Sequence, residues 1–152
     1  FHNPKSVILP LILVGLLLWL VDKKSRTNRS LKSLTITDGI KIGLAQVCAL
    51  IPGVSRSGAT IVAARALSFK REDAARFSFL LGTPAMGGAA LLHARGFIEN
   101  IGNPAFIVGI ITSCVVGLGA IKFFISFINR FGFFAFALYR TLLAFVVAYV
   151  LF

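Results

Sequence analysis

Long apolar runs alternate with short polar stretches along this chain, and the polar stretches are mostly basic. Residues 4–21 form the first run; eighteen residues at about 1.5 Å each reach roughly 27 Å, close to the thickness of a bilayer's hydrocarbon core. Trp19 near its end suits an interfacial anchor. Runs at 77–94, 105–128 and 131–152 predict three further spans. Between the first and second, the helical patterns over 39–50 and 59–67 are each too short to cross, and Pro52-Gly53 separates them. They predict a re-entrant hairpin over 38–67, with Thr37 or Asp38 capping its first helix. An irregular hairpin tip at membrane depth is tolerated only where protein buries it or a watery cavity bathes it. The expected fold class is therefore all-α integral membrane: a multi-span helical bundle with a re-entrant helical hairpin, in one domain over 1–152.

Charge sets the orientation. The 152 residues carry 16 Lys and Arg against 5 Asp and Glu, a net charge of +11. Five of the bases fall in residues 22–32 (DKKSRTNRSLK), and 65–76 is basic too, so both flanks of the hairpin belong on the cytoplasmic side. Lys5 and Arg95 fall on the other side and Arg140 within a span. Bases clustered between apolar runs fit anionic lipid headgroups as partners and argue against nucleic acid. The hydrophobic fraction of 57% exceeds that of ordinary soluble domains. Small residues at Gly82, Gly87 and Gly88, beside Pro84, are expected to loosen the second span and favour close helix packing. Cys48 and Cys114 read as two buried free thiols, with no disulfide or metal spacing. The chain begins at Phe1 with no basic n-region before its first apolar run, the expectation for a piece of something longer rather than for a secretory signal.

The chemistry concentrates in Ile51-Pro52-Gly53-Val54-Ser55-Arg56-Ser57-Gly58-Ala59-Thr60. An arginine inside a membrane-grade chain marks a functional site by default. Ser55, Ser57 and Thr60 add hydroxyl donors, while Gly53 and Gly58 let the backbone turn and bring amides close to a ligand. Together these are the donors a phosphate oxygen takes. The segment lacks the lysine of a soluble phosphate loop. Val62 stands where a phosphohistidine acid phosphatase would need its histidine.

The pattern P-G-x-S-R-S-x-x-T, preceded by Gln46, followed by Arg76-Phe77-Ser78-Phe79-Leu80-Leu81 and Pro84, and closed by Phe136-Ala137-Leu138-Tyr139-Arg140, resembles the bacterial undecaprenyl-diphosphatase family, also called bacitracin-resistance proteins. The resemblance covers essentially the whole chain. It implies a bacterial cytoplasmic-membrane phosphatase, its site facing outward, that removes one phosphate from undecaprenyl diphosphate. That reaction recycles the lipid carrier of peptidoglycan synthesis and confers bacitracin resistance. It further implies catalytic roles for Arg56, Ser55 and Thr60, and substrate contacts from Gly53, Ser57, Gly58 and, more weakly, Arg140. The bland reading of Arg140 is an intramembrane pair with a carboxylate or carbonyl.

The family also carries an earlier half with E-x-x-x-E and P-x-S-S-T-G-H, which this sequence does not contain. The resemblance is thus to the C-terminal half of an inverted-repeat architecture. The five acids, Asp22, Asp38, Glu72, Asp73 and Glu99, sit in loops, at caps or near helix ends; His2 and His93 read as structural or solvent-facing. A divalent cation, Mg or Ca, is expected from the resemblance, with ligands outside this chain. The expected partners are the polyprenyl diphosphate, membrane lipids and the N-terminal half of the same protein, with a homodimer compatible. These 152 residues alone are expected to be inactive. A polyprenyl-phosphate carrier or flippase is the non-enzymatic alternative.

Overall fold

The computed structural model describes residues 7–151, with the side chains of Val150 and Leu151 excepted. Among the described residues seven α-helices follow in order: α1 (Ile8–Lys24), α2 (Ile36–Val47), α3 (Arg56–Ala66), α4 (Arg71–Leu92), α5 (Ala94–Asn100), α6 (Pro104–Phe131) and α7 (Phe134–Leu151). Helix α1 packs against α7 on one side and α3 on the other; α3 also contacts α2 and α4, and α4 reaches α6. Helix α3 is thus at the centre, although it is less apolar in sequence than α1, α2, α4, α6 and α7.

Among the described residues only α6 is long and apolar enough to cross a membrane by itself; α4 and α5, bent by 66° at Leu92–Ala94, make a second, broken candidate. The four expected apolar runs coincide in sequence with α1, α4, α6 and α7, and their limits differ at two places. Helix α1 has only 17 residues in the described part, from Ile8 to Lys24, and positions 4–6 of the expected run lie outside it. The second run starts its helix six residues early, at Arg71, because Glu72 and Asp73 in the first turn complement the helix dipole. Pro84 lies inside that helix without ending it. A Cβ at Gly87 or Gly88 would meet nothing within 4 Å, so these glycines make no close helix contact here. The surface is apolar over α1, α6 and α7, with Leu13, Val108, Val115, Phe145 and Tyr149 exposed. Soluble monomers rarely expose contiguous apolar surface on that scale. The molecule is an all-α membrane protein.

The hairpin leaves and returns at one point. The Arg29 backbone N–H donates to Ser68 O at 3.1 Å and Lys70 N–H donates to Arg29 O at 2.9 Å, so the segments entering α2 and leaving α3 lie side by side. Arg29 also grips Asp38 through both guanidinium ends, at 2.6 and 3.2 Å. Thr35, rather than Thr37 or Asp38, is the N-cap of α2, and Asp38 completes a reciprocal capping box with it. Asp38 instead fills the N3 position, which is where a capping box needs its acid. Arg29 first, then Thr35, hold the Asp38 carboxyl far below the usual carboxylate range. Helix α3 ends in a Schellman turn: Phe69 N–H donates to Ala64 O and Ser68 N–H to Arg65 O. Ser68 occupies the left-handed position normally given to glycine, at φ 67°.

Beneath the hairpin lies a buried ionic knot. Asp22, at the end of α1, accepts from Arg65 Nε at 3.0 Å and from Arg71 Nη2 at 3.0 Å. Phe133 N–H, in the turn between α6 and α7, also faces it. Arg65 is 1% exposed. Four elements are therefore joined through one carboxylate, around which Leu18, Ile61, Phe69, Ala75 and Ile128 form the core. Edge-on contacts of Phe124 with Phe79 and Phe136 tie α4, α6 and α7 together above it.

Candidate functional site

The opposite end of the hairpin is built by a tight turn. Val54 N–H donates to Ile51 O at 3.1 Å, with Pro52 and Gly53 between them and Gly53 at φ 89°. Proline first and a positive-φ glycine second are the requirements of a type II turn. Space also demands glycine: a Cβ at Gly53 would lie 2.6 Å from Val7 O. The turn redirects the chain into α3, whose N-cap is Ser55.

At that N-terminus the donors converge. Ser55 Oγ accepts from Gly58 N–H at 3.1 Å and lies 3.1 Å from Ser57 Oγ. The backbone N–H groups of Arg56 and Ser57, the first orphan donors of the helix, have no partner among the described residues. The Arg56 side chain makes no hydrogen bond or ion pair with any described residue. Its guanidinium lies against α4 at Gly82, where an added Cβ would come within 2.8 Å of Nη2. Residues 55–57 are half-buried, so this free cation, two hydroxyls and two amides share a partly sheltered mouth. Helix dipole and arginine point the same sign of field at it.

The other expected site residues lie close but face elsewhere. Gly58 stays helical rather than turning the chain. It is small because α1 presses on it, with Val14 Cγ1 2.9 Å from where a Cβ would stand, and its N–H is taken by Ser55. Thr60 is buried at 1% exposure. Its hydroxyl reaches Arg56 O at 3.0 Å, Ser57 O at 3.1 Å and Ser78 Oγ at 2.6 Å. One proton shared between two carbonyls leaves Ser78 as the donor to Thr60. Arg140, 5% exposed, donates to Gly53 O at 3.1 Å and faces Leu11 O at 3.4 Å. It therefore holds the turn from behind through carbonyls. Gln46 Oε1 is buried with no partner among the described residues.

Ser78 stands in the sequence within the family-like stretch 76–81 without a role of its own, because a serine on the buried face of a helix looks like any other small residue. Both thiols are exposed, contrary to expectation, since Cys48 lies in the turn after α2 and Cys114 on the outer face of α6. His93 caps α4 on the surface with Nδ1 2.9 Å from Ala89 O, and His2 lies outside the described residues.

The residues around Arg56 do not fit a divalent cation. Hard cations take clustered carboxylate oxygens, and no group of three metal-ligating side chains occurs among the described residues. Asp22 and Asp38 are occupied by arginines, Glu72 by Arg76 and Asn129, and Asp73 by Leu31 N–H.

Comparison with known proteins gives the same direction from sequence. The family described as bacitracin resistance protein BacA matches residues 1–146. A protein of Moorella thermoacetica named undecaprenyl-diphosphatase is 44% identical over 95% of this chain and 55% of its own length. Proteins of the same name from Bifidobacterium longum and Thermomicrobium roseum are 43% and 44% identical over 93% and 90% of the chain, and half of their own lengths. The chain thus spans about half the length of the curated relatives it matches.

Proposed function

Since this chain belongs to the bacitracin resistance protein BacA family, we propose that it supplies the phosphate-binding half of a membrane undecaprenyl-diphosphate phosphatase. The observation carrying this reading is the Arg56 guanidinium, without a partner among the described residues, beside helix N-terminal amides that likewise have none there. A half-buried arginine with no carboxylate partner among the described residues is set to receive an anion, and a diphosphate is the anion that the relatives' name specifies.

In the proposed reaction a water oxygen attacks the terminal phosphorus and the bridging P–O bond breaks, yielding inorganic phosphate and the lipid monophosphate. Phosphoryl transfer of this kind is mostly positioning and charge stabilisation. Arg56 would bind the terminal phosphate, with the Ser55 and Ser57 hydroxyls and the 56–57 amides completing the cradle. Thr60 and Arg140 are positioning residues on this reading: Thr60 through its bonds to the carbonyls of Arg56 and Ser57, Arg140 through Gly53 O. The acid–base groups and any divalent cation would come from protein outside these 152 residues, in a pseudo-symmetric half. With α2 and α3 leaving and returning at Arg29, the hairpin is proposed to be re-entrant, its basic base cytoplasmic and its tip open to the outer face of the cytoplasmic membrane. Cysteine placed at Ser30 and at Arg71 should then be labelled from the cytoplasmic side only.

Arg56→Ala in the intact protein tests the assignment. A charge-assisted hydrogen bond made in the transition state is worth roughly 1.5–3 kcal/mol, or one to two decades in rate. Arg56→Lys keeps the charge but loses the bidentate fork, and should be impaired to a lesser degree. Phosphate release at the parent rate by Arg56→Ala would remove the role. The carrier alternative would show lipid-phosphate translocation without phosphate release.

A further inference from the structure

We infer that the cleft where α1 and α3 end binds an anionic phospholipid, with Lys24 and Arg26 on the phosphodiester and the Ser25 and Ser68 hydroxyls completing its cradle. The cleft has a volume of about 530 Å³ and is lined by these four residues together with Leu20, Val21 and Ala66. Lys24 and Arg26 are exposed, and neither enters an ion pair among the described residues, whose ion pairs engage Arg29, Arg65, Arg71 and Arg76. Ser25 and Ser68 are half-buried, and their hydroxyls likewise have no hydrogen-bond partner among the described residues. Ser68 keeps its hydroxyl at this wall at φ 67°, where glycine would be unstrained.

A cation in the last turn of a helix ordinarily serves the negative end of the helix dipole, and both α1 and α3 end here. That role is already filled. Arg65 Nη2 donates to Asp22 O at 3.2 Å and faces Ser25 O at 3.4 Å, and Arg29 Nη1 faces Leu67 O at 3.4 Å. The backbone N–H groups of Ser68 and Phe69 take Arg65 O and Ala64 O. Arg65 and Arg71 also share the one carboxylate of Asp22, so the ground behind the cleft is positive. Lys24 and Arg26 are left for an anion from outside. What lies beside the cations makes that anion a lipid rather than a soluble phosphate. Leu20 is exposed in the cleft lining, giving an acyl chain an apolar path along α1. Trp19, with Lys23 Nζ 5.5 Å from its ring centroid, sets this end of α1 at headgroup depth. Basic pockets between helices at a cytoplasmic face take anionic headgroups on the same terms. Helix α3, eleven residues or about 16 Å at the usual rise, separates the cleft from Ser55, so the site is distinct from the proposed diphosphate cradle and does not rest on it.

The intact protein in a non-ionic detergent is titrated with phosphatidylglycerol, and separately with phosphatidylcholine, and the lipid adducts are followed by native mass spectrometry. Phosphatidylglycerol should bind saturably and more tightly than phosphatidylcholine. Lys24→Gln and Arg26→Gln should each weaken it about fivefold, the equivalent of roughly 1 kcal/mol per basic residue, and together about 25-fold. Both side chains are exposed, so these variants should keep the parent helical circular dichroism. Lys32→Gln combined with Lys41→Gln removes as much charge outside the cleft and should leave the affinity unchanged. Ser68→Gly should weaken binding severalfold while stabilising the fold, opposite signs that a purely structural serine would not give. Losses as large from the Lys32 and Lys41 pair as from the Lys24 and Arg26 pair would reduce the site to diffuse surface charge and overturn the inference. Displacement of the lipid by inorganic phosphate, or phosphatidylcholine binding as tightly as phosphatidylglycerol, would overturn it too.

Discussion

Asp22→Ala should be among the most destabilising substitutions in this chain, and its size follows from what the carboxylate faces. Arg65 is 1% exposed, and its Nε bonds Asp22 Oδ1 at 3.0 Å. Removing the carboxylate strands a buried guanidinium among Phe69 O, Asp22 O and Ser25 O, which are dipoles and no substitute for a charge. Breaking a buried pair from one side costs about 3–5 kcal/mol. Arg71, whose side chain is 35% exposed, shares the same carboxylate. Arg71→Ala leaves Asp22 still paired, so its cost should stay near the surface-pair range of roughly 1 kcal/mol or less. The asymmetry between the two variants is the informative quantity. Equilibrium unfolding in detergent micelles, followed by loss of helical circular dichroism, reads it. Helix α3 separates Arg65 from Arg56 by nine residues, about 13.5 Å at the usual rise, so surviving folded Asp22→Ala should keep the parent KM. Equal losses for Asp22→Ala and Arg71→Ala, or a raised KM with stability intact, would refute the reasoning.

Further outcomes follow from the same geometry. Gly53→Ala forces a Cβ to within 2.6 Å of Val7 O at φ 89°, and should lower stability and phosphate release together, by more than the roughly 1 kcal/mol of an ordinary glycine replacement. Ser68→Gly relieves a left-handed serine at φ 67° and should stabilise the fold by about 1 kcal/mol in the same unfolding assay. Ser78→Ala and Thr60→Val both break the 2.6 Å link from α4 to the cradle helix. Each should reduce turnover, and the double variant should be no worse than the poorer single one; additive losses would mean the two hydroxyls act separately. Asp38 is held below its ordinary range by Arg29 and Thr35. Its contribution is therefore complete above the unfolded carboxylate value near about 3.9 and fades as pH falls further, a slope that Arg29→Ala should remove in acid titrations of stability.

Much of this architecture was legible because periodicity and breakers are local. Pro52-Gly53 announced the turn, Ser55 the cap of α3, and the short helices on either side a hairpin. Arg56 stood out because its charge has no business in an apolar chain without a ligand. What stayed hidden depended on distant partners. Asp22 looked like a helix-end acid until Arg65 and Arg71, more than forty positions away, closed on it. Thr60 carried the same label as Ser55 in sequence, yet one turn further into the helix its hydroxyl points at α4 and Ser78. Gly58 read as a turn residue, when what it provides is room for Val14. Cys48 and Cys114 read as buried because their neighbours are apolar, and in a membrane protein apolar neighbours mark the outside as readily as the core. Thr35 lost the cap assignment to Thr37 and Asp38 because a capping box is defined by the spacing of two residues together.

The most direct test is a structure of the intact protein with a non-hydrolysable methylene-bridged prenyl bisphosphonate. The account expects the terminal phosphonate oxygens at charge-assisted distance, about 2.7–2.9 Å, from the Arg56 guanidinium, with the Ser55 and Ser57 hydroxyls and the amides of 56–57 around them. Bisphosphonate density bound instead among Lys24, Arg26 and Lys70 at the basic end, with Arg56 untouched, would contradict it.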